Sequence, residues 1–281
     1  MPLREGSELA GYRVASLLGR GGTGTVYLAE DTRLGRKVAL KVLTSEAADA
    51  PGVRERFVAE SRLAASLDHP HIVPIYEAGS VDDELFIAMR YVPGPDLAGL
   101  IRDAGPLPPE RVARIVGQIA SALDAAHAAG LIHRDVKPGN VLLAEGAESG
   151  TDHGYLTDFG LTKQATYVGA DATKTGQLLG TIGYVAPEQI AGLPIDRRAD
   201  VYSLGCVLYE CLAGTAPYPR ETDMAVLMAH VESPPPSLAA LRPELGPGID
   251  AVVAKALSKR AEDRYASAGE LARAATAALS P

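Results

Sequence analysis

The stretch Leu131-Ile-His133-Arg134-Asp135-Val-Lys137-Pro-Gly-Asn140 gathers five chemically active side chains within eight residues. It follows an alanine-rich predicted helix that ends at Gly130, and it precedes an apolar run typical of a strand. A carboxylate in such a connection can accept a hydroxyl proton, a lysine can hold a phosphoryl group, and an amide oxygen can ligate Mg²⁺. A solvated surface loop has no need of this combination, so the stretch predicts a chemical site.

A second acidic motif, Thr157-Asp158-Phe159-Gly160, ends another short predicted strand. Its Asp158 lies eighteen residues after Asn140 and can supply a second oxygen ligand to the same metal ion. Residues 161–185 then lack a regular apolar period, and loops of that length in compact domains are usually functional or mobile. The loop leads into Ala186-Pro187-Glu188.

Three glycines near the N-terminus have the spacing G-x-G-x-x-G, at Gly19, Gly21 and Gly24. Glycines at these positions let a backbone turn approach phosphate groups without Cβ clashes. Dinucleotide-binding folds share this spacing, but in those folds the last glycine opens a helix. Here the glycines lie between two predicted strands, and this context disfavours the dinucleotide interpretation.

Lys41 ends the apolar run Val38-Ala-Leu-Lys41. A lone lysine in that position is usually a surface residue whose stem packs along the strand. Glu60, nineteen residues further along, lies in a predicted helix and offers a fixed counter-charge that would aim the ammonium group at phosphate oxygens. These residues alone leave both interpretations open.

The order of the predicted elements indicates an α+β fold in two lobes. Strands dominate up to about residue 92, interrupted by one helix over Val53–Leu67, and Pro93-Gly94-Pro95 marks the break. Beyond it, apolar residues at helical spacing predict a long helix that opens at Pro109. We expect an N-terminal extension over 1–11, an N-lobe over 12–92 and a C-lobe over 93–281. The other predicted elements are strands Tyr12–Leu18, Thr25–Ala29, Lys37–Val42, Ile72–Glu77 and Leu85–Tyr91, and helices Val201–Leu212, Gly248–Leu257 and Ala266–Leu279.

Composition excludes several classes of protein. With 47% apolar and 22% charged residues, the 281-residue chain has the profile of a globular protein. A net charge of −8 argues against nucleic acid as a partner. Two cysteines, Cys206 and Cys211, cannot build a disulfide framework and indicate a reducing compartment. No apolar run reaches bilayer-spanning length, so we expect a cytoplasmic chain without membrane contact of its own.

Taken in order from about Tyr12 to Ala275, these motifs resemble the eukaryotic-like (Hanks-type) serine/threonine protein kinase catalytic domains of bacteria. The resemblance implies a bilobal protein-kinase-like fold, with a small β-rich N-lobe that holds one key helix and a larger, mainly helical C-lobe. It also implies ATP as cofactor, Mg²⁺ or alternatively Mn²⁺ as the metal ion, and transfer of the γ-phosphate to Ser/Thr hydroxyls of protein substrates. Lys137 together with Gly180-Thr181 favours serine and threonine over tyrosine as acceptors.

The resemblance assigns a role to each matching position. Asp135 would be the catalytic base, supported by four further catalytic residues: Lys137, Lys41, Glu60 and Thr181. Metal ligands would be Asn140 and Asp158. Nucleotide contacts, with Met89 as gatekeeper and residues 90–92 as hinge, would come from Leu18, Gly19, Gly21, Gly24, Val26, Ala39, Lys41, Met89, Tyr91, Val92 and Leu142. Structural positions would be Arg134, Asp200, Glu188 and Arg264, the last two as an ion pair.

Regulation and assembly follow from the same resemblance. Thr173 and Thr175 match positions that are phosphorylated in bacterial relatives, and Arg134 would clamp such a phosphate. A homodimer through the N-lobe is one expected assembly. We also expect that the natural protein continues past Pro281 as the cytosolic part of a single-pass membrane kinase.

Three alternatives compete with these expectations. A pseudokinase scaffold would have lost chemistry, but Lys41, Asp135, Asn140 and Asp158 are intact. A small-molecule phosphotransferase would not need the long loop before Ala186-Pro-Glu. The sequence His69-Pro-His71 suggests a metal pair, but the proline splays the two side chains.

Overall fold

An antiparallel sheet of six strands occupies the first ninety residues of the computed structural model. The model describes residues 3–21, 24–44, 53–81, 84–144, 152–159 and 182–280 of the chain. The strand order in the sheet is β1-β2-β3-β4-β6-β5. The strands span Glu8–Leu9 (β1), Tyr12–Gly21 (β2), Gly24–Asp31 (β3), Arg36–Leu43 (β4), Ile75–Val81 (β5) and Glu84–Arg90 (β6).

The alternation of side chains along β4 aims Lys41 at the inner face of this sheet. Val38, Leu40 and Val42 pack into one apolar cluster on the outer face. Ala39 and Leu43 pack into a second cluster on the opposite face, which is covered by helix α1, Val53–Ala65. Successive side chains of a strand point to opposite faces, so Lys41 shares the α1 face.

The predicted elements of this lobe were correct in type but shifted at their ends. Helix α1 ends at Ala65 rather than Leu67, and β5 begins at Ile75 rather than Ile72. Strand β2 extends past Leu18 to Gly21, and register shifts between Val14 and Ser16 break its alternation. For this reason Leu18 is exposed although the alternation placed it on the same face as Val14.

Helices form the larger second lobe around one apolar core. The predicted apolar stripe of α3 (Pro109–Ala128) is confirmed, because Val112, Ile115, Ile119 and Leu123 are all fully buried. Helix α5 (Arg198–Ala213) lies at the centre and is buried on nearly every side. The helices span Leu97–Ala104 (α2), Pro109–Ala128 (α3), Pro187–Ile190 (α4), Arg198–Ala213 (α5), Asp223–Glu232 (α6), Leu238–Leu241 (α7), Gly248–Ala256 (α8) and Ala268–Leu279 (α9).

The C-lobe also holds a two-stranded sheet that joins it to the N-lobe. Strands β7 (Val141–Ala144) and β8 (His153–Leu156) pair antiparallel. The chain between α1 and β5 pairs with β8, because the N–H of Val73 donates to the carbonyl of Leu156 at 3.0 Å and the N–H of Leu156 donates to that of His71 at 2.8 Å. This strand-rich first lobe and helical second lobe confirm the predicted α+β bilobal fold.

The two cysteines of the chain lie on one helix. Cys206 and Cys211 are both free and fully buried on α5. Burial raises the pKa of each thiol well above its ordinary value. Across the described ranges, we find no helix with both the length and the apolar character that crossing a membrane requires.

A row of contacting rings lies near the junction between the lobes. His69 and His71 lie 5.7 Å apart between ring centroids, His71 and His153 lie 4.6 Å apart, and His153 and Tyr155 lie 4.5 Å apart. The guanidinium of Arg90 stands 5.2 Å from the Tyr155 ring and closes the row. Burial and neighbouring imidazoles lower the pKa of His69 and of His71, since charge there is poorly solvated and repelled.

Acid is therefore expected to destabilise the fold through this row. A histidine whose pKa is lowered on folding binds fewer protons than in the unfolded chain, so stability is lost as pH falls below about 6.5. We expect His71→Asn, which can still donate to the carbonyl of Gly154 but cannot be protonated, to reduce the loss of melting temperature between pH 7.5 and pH 5.5. An equal loss in the variant and the parent protein would contradict this account.

Candidate active site

The polar loop (residues 131–140) is hydrogen-bonded through its backbone to a carboxylate on the central helix α5. Asp200 is fully buried, and its two oxygens accept hydrogen bonds from the backbone N–H groups of His133 and Arg134, each at 2.8 Å. The Oδ2 atom also lies 2.7 Å from Nε2 of His127. Arg134 has φ 63°, a left-handed conformation that is strained for a residue with a Cβ. The bonds to Asp200 hold this strained backbone directly before Asp135.

The Asp135 carboxylate is the centre of a small network within the polar loop. It is buried, and its Oδ2 atom accepts hydrogen bonds from Nζ of Lys137 at 2.9 Å and from Nδ2 of Asn140 at 3.2 Å. Nδ2 of Asn140 also donates to the backbone carbonyl of Asp135 at 2.8 Å. These bonds use the amide nitrogen of Asn140 and leave its oxygen able to ligate a cation.

His133 ties the polar loop to the residues that follow β8. Its Nδ1 atom accepts from the N–H of Asp135 at 3.2 Å, and its Nε2 atom lies 3.0 Å from the carbonyl of Thr157. Both bonds fit a neutral imidazole that carries its proton on Nε2. Complete burial lowers the pKa of His133 and so favours this neutral form. The ring also packs on Phe159 at 4.7 Å, which fixes the 157–159 segment beside the loop.

Asp158 carries the second strained backbone of the site, with φ 59°. Its carboxylate pairs with Nζ of Lys41 at 2.8 Å, while Nη1 of Arg134 pairs with Glu60 at 3.3 Å. The predicted pair of Lys41 with Glu60 does not form in this structure, where each of the two residues contacts another partner. The physical reason is competition, because Asp158 lies closer to the ammonium group and Arg134 offers Glu60 a guanidinium instead.

An apolar cluster lies between the sheet and β7. It joins several of the predicted nucleotide contacts: Val26, Ala39, Met89, Val92 and Leu142. The hydroxyl of Thr157 donates to the Met89 sulfur at 3.5 Å, which connects the cluster to the Asp158 segment. Tyr91 is half-buried, whereas Leu18 is 45% exposed and lies outside the cluster.

The glycines of the β2–β3 turn differ in what requires them. A Cβ on Gly24 would lie 2.5 Å from the carbonyl oxygen of Val42, so the packing of β3 on β4 demands glycine there. A Cβ on Gly19 would meet nothing within 4 Å, and on Gly21 only a carbonyl at 3.9 Å. Neither residue has a positive φ. Among the described residues, which exclude 22 and 23, no contact explains these two glycines, and the open space where a Cβ would stand fits the approach of a phosphate group.

Comparison with known proteins decides the family. Residues 12–272 match the protein kinase domain family. The chain belongs to this family. It is 46% identical over 277 residues to the serine/threonine-protein kinase PknH of Mycobacterium tuberculosis, covering 99% of this chain and 43% of that protein. It is 45% identical over 276 residues to PknE of the same organism, covering 98% of this chain and 47% of that protein.

Solved structures agree with the sequence comparison. A crystal structure of the M. tuberculosis PknI kinase domain matches with a TM-score of 0.79 and 36% identity, covering 99% of this chain and 100% of that chain. The kinase domain described here spans less than half the length of PknH and PknE.

A buried ion pair holds the segment after the long loop of this kinase domain. Arg264 donates from Nη1 and Nη2 to the two oxygens of Glu188, at 2.6 and 2.7 Å. The guanidinium also reaches three backbone carbonyls, those of Ser258, Arg198 and Lys259. Together these contacts hold the start of α4, at Glu188, next to Arg264 and the residues before it.

Two contacts of the kinase site were not foreseen from the sequence. His127 lies beside Asp200, and Nε2 of Gln189 reaches the carbonyl of Arg134 at 3.3 Å. The signal for His127 was a polar residue at the end of a helix with an apolar stripe. Gln189 directly follows the Ala-Pro-Glu motif and had no signal of its own.

Three predicted site residues lie outside the described residues: Thr173, Thr175 and Thr181. The remaining site residues all fall within the described ranges.

Proposed function

We propose that this chain is the catalytic domain of a bacterial serine/threonine protein kinase, which transfers the γ-phosphate of ATP to Ser/Thr hydroxyls of proteins. The observation that carries the proposal is the network around Asp135. The buried carboxylate of Asp135 contacts Lys137 and Asn140. His133 hydrogen-bonds both the backbone N–H of Asp135 and the carbonyl of Thr157, next to the Asp158 that pairs with Lys41.

The roles of the reacting groups follow from their chemistry. We assign Asp135 to orient the acceptor hydroxyl and take up its proton, since a carboxylate is a hydrogen-bond acceptor. Lys137, 2.9 Å away, would hold the transferring phosphoryl group beside that hydroxyl. Lys41 would exchange its contact with Asp158 for the phosphates of the nucleotide. Most of the acceleration would then come from positioning and charge stabilisation.

The residues present fit a divalent cation bound together with phosphates. The amide oxygen of Asn140 and the carboxylate of Asp158 are hard oxygen ligands. Two protein ligands suit Mg²⁺, which takes its other ligands from water and phosphate, and we propose Mg²⁺ with Mn²⁺ as a substitute. Such an ion would neutralise charge that develops on the phosphates. Asp158 would turn toward the ion once Lys41 engages the nucleotide.

The apolar cluster between the sheet and β7 and the glycine turn between β2 and β3 would hold the rest of the nucleotide. Val26, Ala39, Met89 and Leu142 would enclose adenine, and Leu18 would close over it from the exposed end of β2. The backbone of residues 90–92, including Tyr91 and Val92, would hydrogen-bond the adenine edge. Gly19, Gly21 and Gly24 would cover the phosphates.

Structural residues would keep these groups in register. We propose that Asp200 braces the polar loop and that Glu188 with Arg264 locks the large lobe. Thr181 would place its hydroxyl next to Asp135. The N-lobe would span 12–92 after an extension over 1–11, and the C-lobe would span 93–281.

Phosphorylation of the long loop is the proposed control. Arg134 is engaged by Glu60 at 3.3 Å, and a phosphate on Thr173 or Thr175 would compete for its guanidinium. Release of Glu60 would let it approach Lys41, as in the pair expected from the sequence.

We expect the double variant Thr173→Ala/Thr175→Ala to lose about tenfold or more in transfer rate, a size common for coupling between sites. Steady-state transfer to a protein substrate would measure the loss, and mass spectrometry of the active parent protein would locate the phosphates. Phosphatase treatment of the parent should reproduce the loss. Full activity without phosphate at either threonine would refute this control.

The proposed function is tested by incubating the chain with labelled ATP, Mg²⁺ and myelin basic protein, followed by phosphoamino-acid analysis. Label on phosphoserine or phosphothreonine is the expected result. Nucleotide binding without transfer would instead support a scaffold, and transfer to small molecules alone would support a small-molecule phosphotransferase.

Partners and location complete the proposal. Protein substrates with Ser/Thr acceptors are the expected partners, and a homodimer through the N-lobe is the proposed assembly. We place the domain in the cytoplasm, where ATP is supplied. We propose that it serves as the cytosolic part of a longer single-pass membrane kinase, as the sequence resemblance implies.

A further inference from the structure

A buried polar cluster lies beneath the 3₁₀ turn Ile182–Tyr184. At its centre is His230 of α6, which is completely buried. Nδ1 of this imidazole lies 2.9 Å from the hydroxyl of Tyr202, and the ring packs edge-on against Tyr218 at 4.9 Å. Nε2 is buried without a hydrogen-bond partner among the residues that the structure describes. A buried polar nitrogen that makes no hydrogen bond lowers the free energy of unfolding.

Lys259 locks the helix that carries this imidazole. Its Nζ atom donates to the carbonyls of Ala229 and His230, at 3.3 and 2.7 Å, and to the hydroxyl of Tyr218 at 3.2 Å. Those carbonyls belong to the last turn of α6, where a positive charge stabilises a helix. Burial and the charge of Lys259 lower the pKa of His230 to about 4, so the imidazole stays neutral at working pH.

The turn above the cluster is held from two sides. On the α5 side, the Ser203 hydroxyl donates to the carbonyl of Tyr184 at 2.7 Å, and the Tyr184 hydroxyl donates to Glu210 at 2.6 Å. On the α6 side, His230 faces the backbone of Ile182 and Gly183, whose polar groups act on its pKa. The α6 helix packs against this turn.

The same turn is connected to the polar loop. It leads into α4, whose Gln189 contacts the polar loop at Arg134, next to Asp135. A polypeptide whose hydroxyl reaches Asp135 would therefore have its flanking residues near this part of the chain. A shift of Ile182–Tyr184 would then change how well that polypeptide binds.

We propose that His230 is a positioning residue for the polypeptide substrate, acting through Ile182–Tyr184 with Tyr202 as its partner. The inference rests on the proposed function and adds a determinant of acceptor binding to it. It separates acceptor binding from nucleotide binding, since the cluster lies in the C-lobe and contacts none of the proposed nucleotide residues among the described contacts.

Steady-state kinetics with myelin basic protein and ATP test the inference. We expect His230→Leu to raise KM for the protein about tenfold while KM for ATP stays within about twofold of the parent value. Tyr202→Phe, which removes one hydroxyl and keeps the ring, should raise the same KM by about threefold. His230→Gln, which restores a polar group near Nε2, should recover most of the loss.

A matched control and the melting temperature separate positioning from general damage. Tyr76→Phe removes a hydroxyl from β5 of the N-lobe, where the ring lies 3.7 Å from the Arg36 guanidinium, and should leave both KM values unchanged. If His230→Leu does not fold, Tyr202→Phe and His230→Gln decide the question.

An unchanged protein KM in the folded variants, or equal changes in both KM values, would overturn the inference and leave the kinase proposal standing. Absence of transfer in the parent protein would overturn both.

Discussion

Asp135→Asn is expected to reduce phosphoryl transfer by about a thousandfold, within the range that general acid–base groups contribute. The amide keeps the size and much of the hydrogen bonding of the carboxylate but cannot accept the hydroxyl proton. Because Asp135 lies in the polar loop rather than in the apolar cluster, ATP affinity should change little. Transfer of labelled phosphate and binding of a fluorescent ATP analogue would measure the two effects separately.

Asp103→Asn is the matched control for this variant. The Asp103 side chain is 75% exposed at the end of α2, and its one described ion pair is with its neighbour Arg102. The same change of carboxylate to amide should leave transfer intact there. Substantial transfer by Asp135→Asn would show that another group orients the acceptor, and the assignment of Asp135 would fail.

Arg264→Leu is expected to cost about 3–5 kcal/mol of unfolding free energy, because it leaves the buried Glu188 carboxylate without its partner. For a chain of this size the melting temperature should fall by about 10 °C. Arg264 itself has no exposed side-chain surface, so water cannot replace the bidentate contact. Thermal and denaturant unfolding would measure the loss.

Two further variants test whether burial is the cause. Arg260→Leu removes the same type of side chain from the pair with Glu262, where the arginine is 73% exposed, and should cost less than about 1 kcal/mol. The double variant Glu188→Leu/Arg264→Leu removes both charges and should recover part of the stability lost in Arg264→Leu. Similar losses for Arg260→Leu and Arg264→Leu would contradict the role of burial.

The sequence predicted most of the fold because periodicity is strong in the long elements. The α3 stripe and the run that contains α5 carry enough apolar residues to specify a buried face. The short helices α2, α4, α6 and α7 were missed, since each is too short to repeat an apolar stripe, although Asp96, Thr222 and Ser237 cap three of them. The ends of β2 depended on bulges that no alternation shows.

Site residues were predictable where a motif is local and were not where a partner depends on geometry. Asp135, Lys137 and Asn140 stand within six residues, and the structure brings them into one network. The partner of Lys41 depends on where α1 and Asp158 lie in space, and the local pattern that suggested Glu60 does not show this. Gln189 contacts Arg134 through the fold of the 182–189 segment, which spacing alone does not reveal.

The attachment of the polar loop to Asp200 has a consequence for how the cleft moves. Local opening of a protein segment requires breaking the contacts that bind it to the core. The amides of His133 and Arg134 are bonded to a carboxylate on a helix that is buried on nearly every side, so we expect the loop to open only together with the core. We therefore expect motion between the lobes to come from the N-lobe sheet and α1, while the polar loop stays fixed to the C-lobe core.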